Sequence, residues 1–219
     1  MGKYRCVLFD FDGTLFDTEK SVIDSVRYSL EKRGIYESDY DKLKSFIGPP
    51  LTDSFKRVYG FSKEKTEEAV KDYRKVYQEK NMLNVSVYHG VPETLETLKK
   101  KGIYLAVASS KPFPMLERIL KTFDMEKYFD SVFGATLDGR IAYKDEVIRE
   151  AISAIKDKYP DITMDEILMV GDRKYDAEGA KVFGIKCVGV TYGMAQEGEL
   201  EAAGCIYIIN YIKELLNIV

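Results

Sequence analysis

Short apolar runs, each closed by a small or acidic residue, punctuate the chain. Cys6-Val7-Leu8-Phe9 ends at Asp10, and Ile103-Tyr104-Leu105-Ala106-Val107-Ala108 ends at Ser109. Ile167-Leu168-Met169-Val170 ends at Gly171-Asp172, and Ile185-Lys186-Cys187-Val188-Gly189-Val190 ends at Thr191. Runs of this length, closed by turn-forming residues, predict strands buried on both faces. Ser131-Val132-Phe133 and Ile206-Tyr207-Ile208-Ile209 are weaker candidates. Helical spacing separates them. Val91, Leu95 and Leu98 share a face, with Pro92 suited to a first turn and Gly102 just past the end. Pro112 fits the start of a helix through Lys121. Tyr143 to Lys158 carries Val147, Ile148, Ala151 and Ile155 on one side, and Asp176 to Phe183 is a short helix stopped by Gly184. Strand and helix in alternation predict a parallel sheet covered on both faces.

One interval breaks the rhythm. About 90 residues separate the first two strands, where a crossover needs only a dozen or more. Within it, Val22, Ile23, Val26 and Leu30 form one helical stripe, and Ala69, Tyr73, Val76 and Tyr77 another. Gly34, Gly48-Pro49-Pro50 and Gly60 punctuate the stretch. The expected architecture is therefore α/β: a Rossmann-like, doubly wound parallel sheet core with an inserted all-helical domain. Residues 1–15 and 89–219 form the core and 16–88 the insertion. The junctions are not rich in Gly or Ser, so hinges are expected there, at Phe16 to Thr18 and near Tyr88-His89-Gly90, in place of long linkers.

Composition adds mostly exclusions. The 33 basic and 36 acidic side chains leave a net charge of −3 and are interleaved, as in Lys63-Glu64-Lys65-Thr66-Glu67-Glu68. Nothing in that balance points to a nucleic-acid or membrane partner. Cys6, Cys187 and Cys205 are scattered and form no CxxC pair, which reads as reduced thiols and not as a disulfide framework. With His89 the single histidine, any metal site must be built from carboxylates. His89 itself reads as a loop residue. The apolar stretch before Asp10 is too short for a signal-peptide core or a membrane span, so a cytoplasmic protein is expected.

The candidate chemistry lies at the strand ends. In an open parallel sheet, the carboxyl ends of the strands share one edge and line the ligand crevice. Asp10, Ser109 and Asp172 should therefore converge, although they are distant in sequence. Asp10 and Asp12, two apart on extended chain, point to one side, and Gly13 then lets the backbone turn. Carboxylates paired in a cleft need an opposing charge, or one of them must stay protonated. A hard divalent cation such as magnesium supplies that charge through oxygen ligands. Asp17 or Thr18 is placed to cap the next helix.

Asp10-Phe11-Asp12-Gly13-Thr14-Leu15-Phe16-Asp17-Thr18 resembles the first motif of the haloacid dehalogenase superfamily. Val107-Ala108-Ser109-Ser110-Lys111-Pro112 resembles the second. Lys144, in Arg140-Ile141-Ala142-Tyr143-Lys144, falls where the third-motif lysine belongs, although Lys111 also follows a strand end. Gly171-Asp172-Arg173-Lys174-Tyr175-Asp176 resembles the fourth. The likeness covers nearly the whole chain, and the helical insertion matches the family's type 1 cap. It implies that Asp10 is the nucleophile, forming an aspartyl-phosphate. Asp12 then serves as acid and base, Ser109 holds a phosphoryl oxygen, and Lys144 neutralises charge. It also implies a Mg2+ site from Asp10, Asp12 (through its carbonyl) and Asp172, with Asp176 orienting it from nearby. Arg173 and Lys174 are read as surface residues or weak partners of the acidic cluster.

The family's dehalogenases lack an aspartate at the position of Asp12, so the resemblance implies phosphate chemistry. Ser45-Phe46-Ile47-Gly48-Pro49-Pro50-Leu51 is similar to the cap loop of the phosphoglycolate phosphatase group, especially its 5′-nucleotidase-like members. The expected activity is hydrolysis of a small-molecule phosphate monoester by a monomer or weak homodimer. A sugar phosphomutase of the β-phosphoglucomutase type and a pyrophosphatase are the alternatives. Gly13, Thr14, Phe16, Gly48, Ser110 and Lys111 are the candidate substrate contacts, with Ile47 and Arg57 as further candidates.

Overall fold

The computed structural model describes residues 3–219; Met1 and Gly2 of the expected core lie outside the described residues. In chain order the elements are β1 (Cys6–Phe9), β2 (Phe16–Asp17), α1 (Glu19–Glu31), α2 (Tyr40–Lys44), α3 (Leu51–Tyr59) and α4 (Lys63–Val76). A π-helical turn (Tyr77–Asn81), β3 (Ser86–Val87), α5 (Val91–Lys100), β4 (Tyr104–Pro112) and α6 (Phe113–Thr122) follow. The chain continues with β5 (Ser131–Ala135), α7 (Lys144–Lys158), β6 (Ile167–Gly171), α8 (Lys174–Lys181), β7 (Lys186–Val190), α9 (Glu199–Ala203) and β8 (Tyr207–Ile209). These divide into two compact units, Met1–Phe16 with Val87–Val219, and Asp17–Ser86.

The first unit is built on a six-stranded sheet in the order β5-β4-β1-β6-β7-β8, with every neighbouring pair parallel. β1 is central: Leu8 is in register with Ala106 on one side and Met169 on the other. Alternate residues serve opposite faces. Cys6, Leu8, Ala106, Ala108, Ile167 and Met169 pack against Val147, Ile148, Ala151 and Ile155 of α7 and Ala177 and Ala180 of α8. Val7, Phe9, Leu105, Val107, Leu168 and Val170, pointing the other way, are equally buried. Burial on both faces is why these strands read as unbroken apolar runs. α5 and α6 lie against β4, and the ring of Phe9 meets Phe129 edge-on at 6.3 Å.

The second unit is all-helical, apart from the residues of β2 and β3 that fall in it. Val22, Ile23, Val26 and Leu30 of α1 and Ala69, Val70, Tyr73 and Val76 of α4 are buried, and α1 packs on α4. Ser29 Oγ donates to the Ala69 carbonyl at 2.8 Å, and Asp72 pairs with Lys32 (2.6 Å) and Arg33 (3.0 Å). Phe46, Phe55 and Phe61 form an aromatic cluster, with Phe55 and Phe61 stacked at 5.7 Å. Asp17, and not Thr18, caps α1: its Oδ1 accepts from Glu19 N at 3.1 Å, while the Thr18 side chain makes no capping bond. No helix among the described residues is long and apolar enough to cross a membrane.

Two boundaries differ from the sequence expectation. β4 does not stop at Ala108 but runs to Pro112, with an irregular register against β5 between Ser109 and Pro112. Ser109, Ser110 and Lys111 are thus extended backbone, and Pro112 caps α6. α8 spans Lys174–Lys181 and not Asp176–Phe183. Asp176 sits one turn inside the helix because its Oδ2 accepts from Arg173 N at 3.0 Å, tying off the free amide before the helix.

Candidate active site

The carboxyl edge of the sheet gathers the strand-end residues of the first unit. Asp10 leaves the end of β1, its amide held by the Val170 carbonyl at 2.9 Å. Asp172 follows β6, and Asp176 lies in the first turn of α8. One carboxylate oxygen from each of Asp10, Asp172 and Asp176 lies within 4.8 Å of the others, and all three side chains are buried. Lys144, first residue of α7, reaches this trio. Its Nζ is 2.6 Å from Asp10 Oδ1 and 2.8 Å from Asp176 Oδ1, and it donates to the Ala108 carbonyl at 2.9 Å.

Asp12 stands beside this cluster and is partly exposed. Lys111 Nζ grips both of its oxygens, at 2.9 and 3.2 Å. The two lysines that competed for one role thus hold different carboxylates, Lys144 on Asp10 and Lys111 on Asp12. Lys111 N also donates to Ser109 Oγ at 3.3 Å, which leaves the Ser109 hydroxyl proton free to be given to another acceptor.

Several groups fix Asp172. Thr14 Oγ1 donates to its Oδ1 at 3.2 Å, and Met194 N donates to its Oδ2 at 2.7 Å. Gly13 has φ +83°, and a Cβ there would lie 2.1 Å from Asp172 Oδ2. Only glycine permits both the turn and the approach. Gly193 presses in from the other side, where a Cβ would sit 2.4 Å from both Asp172 Cβ and the Gly13 carbonyl. Tyr192 OH donates to the Thr14 carbonyl at 2.9 Å. Tyr192, Gly193 and Met194 escape a reading based on strand ends and acids, because they act through a backbone amide, a missing side chain and a hydroxyl aimed at backbone. The one available signal is their place directly after the apolar run of β7.

Burial dominates the electrostatics. It pushes the Asp10 carboxyl from an ordinary 3.8 up to about 6; Lys144 opposes the rise, while Asp176 and Asp12 add to it. Burial likewise drives Asp172 well above the ordinary range, reinforced by Asp10 and Asp176. Burial works to lower Lys144, but Asp10 and Asp176 outweigh it and raise the ammonium's pKa. Three buried carboxylates share a single lysine among them, so the pocket is short of positive charge. An all-oxygen donor set with that deficit fits a hard divalent cation.

Two sequence readings need correction. Phe16 is fully buried, stacked on Phe11 at 4.6 Å and edge-on to Phe123 at 5.5 Å, so its ring packs the core and does not offer a surface to a ligand. Arg173 is not a surface residue: it is buried, its Nε is 2.8 Å from Glu199 Oε1, and its charge favours the ionised form of Asp172. Ser110 is half-buried beside Ser109, and His89 is an exposed turn residue. Gly48 (φ +107°) and Arg57, which donates to the Ser45 carbonyl at 3.0 Å, belong to the helical unit.

Residues 7–190 match the family model described as haloacid dehalogenase-like hydrolase. A 5′-nucleotidase of Pseudomonas aeruginosa is 38% identical over 91% of this chain and 88% of its own length. The tyrosine-protein kinase PtkA of Mycobacterium tuberculosis is 34% identical over 98% of this chain and 73% of its own. The pyrophosphatase PpaX of Halalkalibacterium halodurans is 33% identical over 97% and 95%. Among solved structures, one described as a predicted phosphatase from Clostridium acetobutylicum superposes with a TM-score of 0.91 at 40% identity, covering 98% of this chain and 97% of that one. Sheet order, strand-end carboxylates and these likenesses agree: the chain belongs to the haloacid dehalogenase-like hydrolase family and is a phosphatase.

Proposed function

We propose that the chain hydrolyses a small-molecule phosphate monoester through an aspartyl-phosphate on Asp10, with Mg2+ as the resident cation. The observation that carries this reading is the buried Lys144, held 2.6 Å from Asp10 Oδ1 and 2.8 Å from Asp176 Oδ1. It leaves Asp10 Oδ2 to attack phosphorus, splitting one hard displacement into two easier ones. Asp12, steadied by Lys111, gives a proton to the leaving oxygen and later takes one from the water that releases phosphate. Ser109 donates its hydroxyl to a phosphoryl oxygen. Asp10, Asp172 and the Asp12 carbonyl would hold the cation, with Asp176 beside them. Once bound, the cation supplies charge neutralisation for the phosphoryl oxygens. Phosphoryl transfer asks mainly for positioning and charge, and both are properties of this pocket.

Nucleoside 5′-monophosphates are the first substrate class to test, because the relative described as a 5′-nucleotidase aligns over 91% of the chain. Phosphoglycolate follows from the cap-loop similarity. Gly48 lies at the turn between α2 and α3 of the helical unit. Inorganic pyrophosphate is the second reading, favoured by the likeness to PpaX over 97% of the chain.

The test is a phosphate-release screen over phosphorylated metabolites, including nucleotides, phosphoglycolate, sugar phosphates and pyrophosphate. It is run with Mg2+, with EDTA, and with Asp10→Asn. Release that needs Mg2+ and falls by ~10³-fold or more in the variant is expected, as for the loss of a nucleophile. No release from any ester, or an equally active variant, would end the proposal.

A further inference from the structure

α9 opens with Glu199, whose carboxylate is only 10% exposed and is fully engaged. Its Oε1 accepts from Arg173 Nε at 2.8 Å and from Lys174 N at 2.9 Å. Its Oε2 accepts from Gln196 N at 3.1 Å. Arg173, in the turn between β6 and α8, and Lys174, the first residue of α8, have Asp172 on one side and Asp176 on the other. Arg173 N is also the donor that orients Asp176 Oδ2, at 3.0 Å. One carboxylate therefore clasps the segment that carries two of the three clustered acids. The same stretch of chain, a few residues earlier, grips Asp172 directly through Met194 N.

Charge gives the clasp a second consequence. Arg173 is buried and adjoins Asp172 in the chain, so a positive charge stands next to a carboxylate that a cation would use. Glu199, 2.8 Å from Arg173 Nε, cancels that field where the pocket must stay attractive to a divalent ion.

We infer that Glu199 and Arg173 are positioning residues for the metal site. Glu199 holds the Asp172–Asp176 turn in its cation-binding shape and neutralises Arg173 beside it. This rests on the reading of Asp10, Asp172 and Asp176 as the cation's surroundings. Groups bonded directly to metal ligands typically set metal affinity by 10–100-fold; Glu199 stands further out, bonded to Arg173 Nε and Lys174 N, so the lower end of that range applies.

The test is Mn2+ binding to the substrate-free protein, followed by electron paramagnetic resonance, with Tm in EDTA measured alongside. Glu199→Gln keeps the shape and removes the charge; Glu199→Ala removes both. Glu199→Gln is expected to weaken Mn2+ binding by ~10-fold, at the lower end of that range. Glu199→Ala should weaken it further. Adding Arg173→Met to Glu199→Gln should restore part of the loss, because the positive charge next to Asp172 goes too. A pair that serves only the fold would lower Tm and leave the Mn2+ dissociation constant of Glu199→Gln unchanged. That result, or a loss the double variant does not relieve, overturns the inference. A wild-type protein that binds no Mn2+ would instead sink the metal reading itself, and the inference with it.

Discussion

Asp10→Asn should remove catalysis and stabilise the metal-free protein at neutral pH. The folded carboxyl titrates near 6, against an ordinary 3.8, with burial the first cause and Lys144 opposing it. Between these two values the native state holds a proton that the unfolded chain has released, so stability falls as pH rises through the window. Above the upper value the whole penalty is present. At about 1.36 kcal/mol per pH unit, a gap of about two units amounts to ~3 kcal/mol. For a chain of this size that corresponds to roughly 6–12 °C in Tm. Asparagine keeps the shape and cannot ionise. Asp172, raised by burial, acts with the same sign, whereas Glu146, held low by the Ala142 and Tyr143 amides, acts with the opposite one and loses its contribution as pH falls. The informative quantity is therefore the difference between wild type and Asp10→Asn, from melts in EDTA between pH 4 and 7.5. The two should coincide near pH 4 and part by pH 7, with the variant more stable. Excess Mg2+ should close the gap by stabilising the wild type. Parallel curves, or a variant less stable at pH 7, would refute the account of Asp10 as a carboxylate held at a cost.

Gly13→Ala and Gly102→Ala form a matched pair, with φ of +83° and +78°. Both should lose ~1–2 kcal/mol from left-handed backbone strain. Only Gly13→Ala should abolish phosphate release, because its Cβ would lie 2.1 Å from Asp172 Oδ2, whereas nothing lies within 4 Å at Gly102; Tm and activity measured together separate the two effects. Lys144→Met keeps the buried stem and deletes the ammonium between Asp10 and Asp176. Its kcat at saturating Mg2+ should drop by ~10²–10³-fold, the usual cost of removing one preorganised charge-stabilising group, and a variant with wild-type kcat would exclude the role given to this lysine.

Much of the fold was legible because burial on both faces writes itself as unbroken apolar runs. Cys6–Phe9 and Ile167–Val170 are fully buried, and their closing acids, Asp10 and Asp172, meet as parallel strands require. The helical stripes at Val22–Leu30 and Ala69–Tyr77 were legible for the same reason, one face at a time. What escaped depends on partners distant in sequence. Arg173 looks like a solvated charge until Glu199, 26 residues on, is seen beside it. Phe16 sits next to polar Asp17, and nothing local says that its ring faces Phe11 and Phe123. The amide of Met194 has no signature in residue type. Asp176 read as a helix start because acids favour first turns; its role as acceptor for Arg173 N moved the boundary two residues upstream.

The position of β1 has a consequence for how this protein is made. It comes first in chain order among the strands of the sheet and lies inside it, yet its two neighbours begin at Tyr104 and Ile167. A nascent chain that has reached Ser86 possesses the whole helical unit but still exposes Cys-Val-Leu-Phe with neither edge paired. Folding of the sheet must then wait for long-range closure, the slow and aggregation-exposed kind. The strand that leads to Asp10 is accordingly the segment on which a chaperone would be expected to act during synthesis.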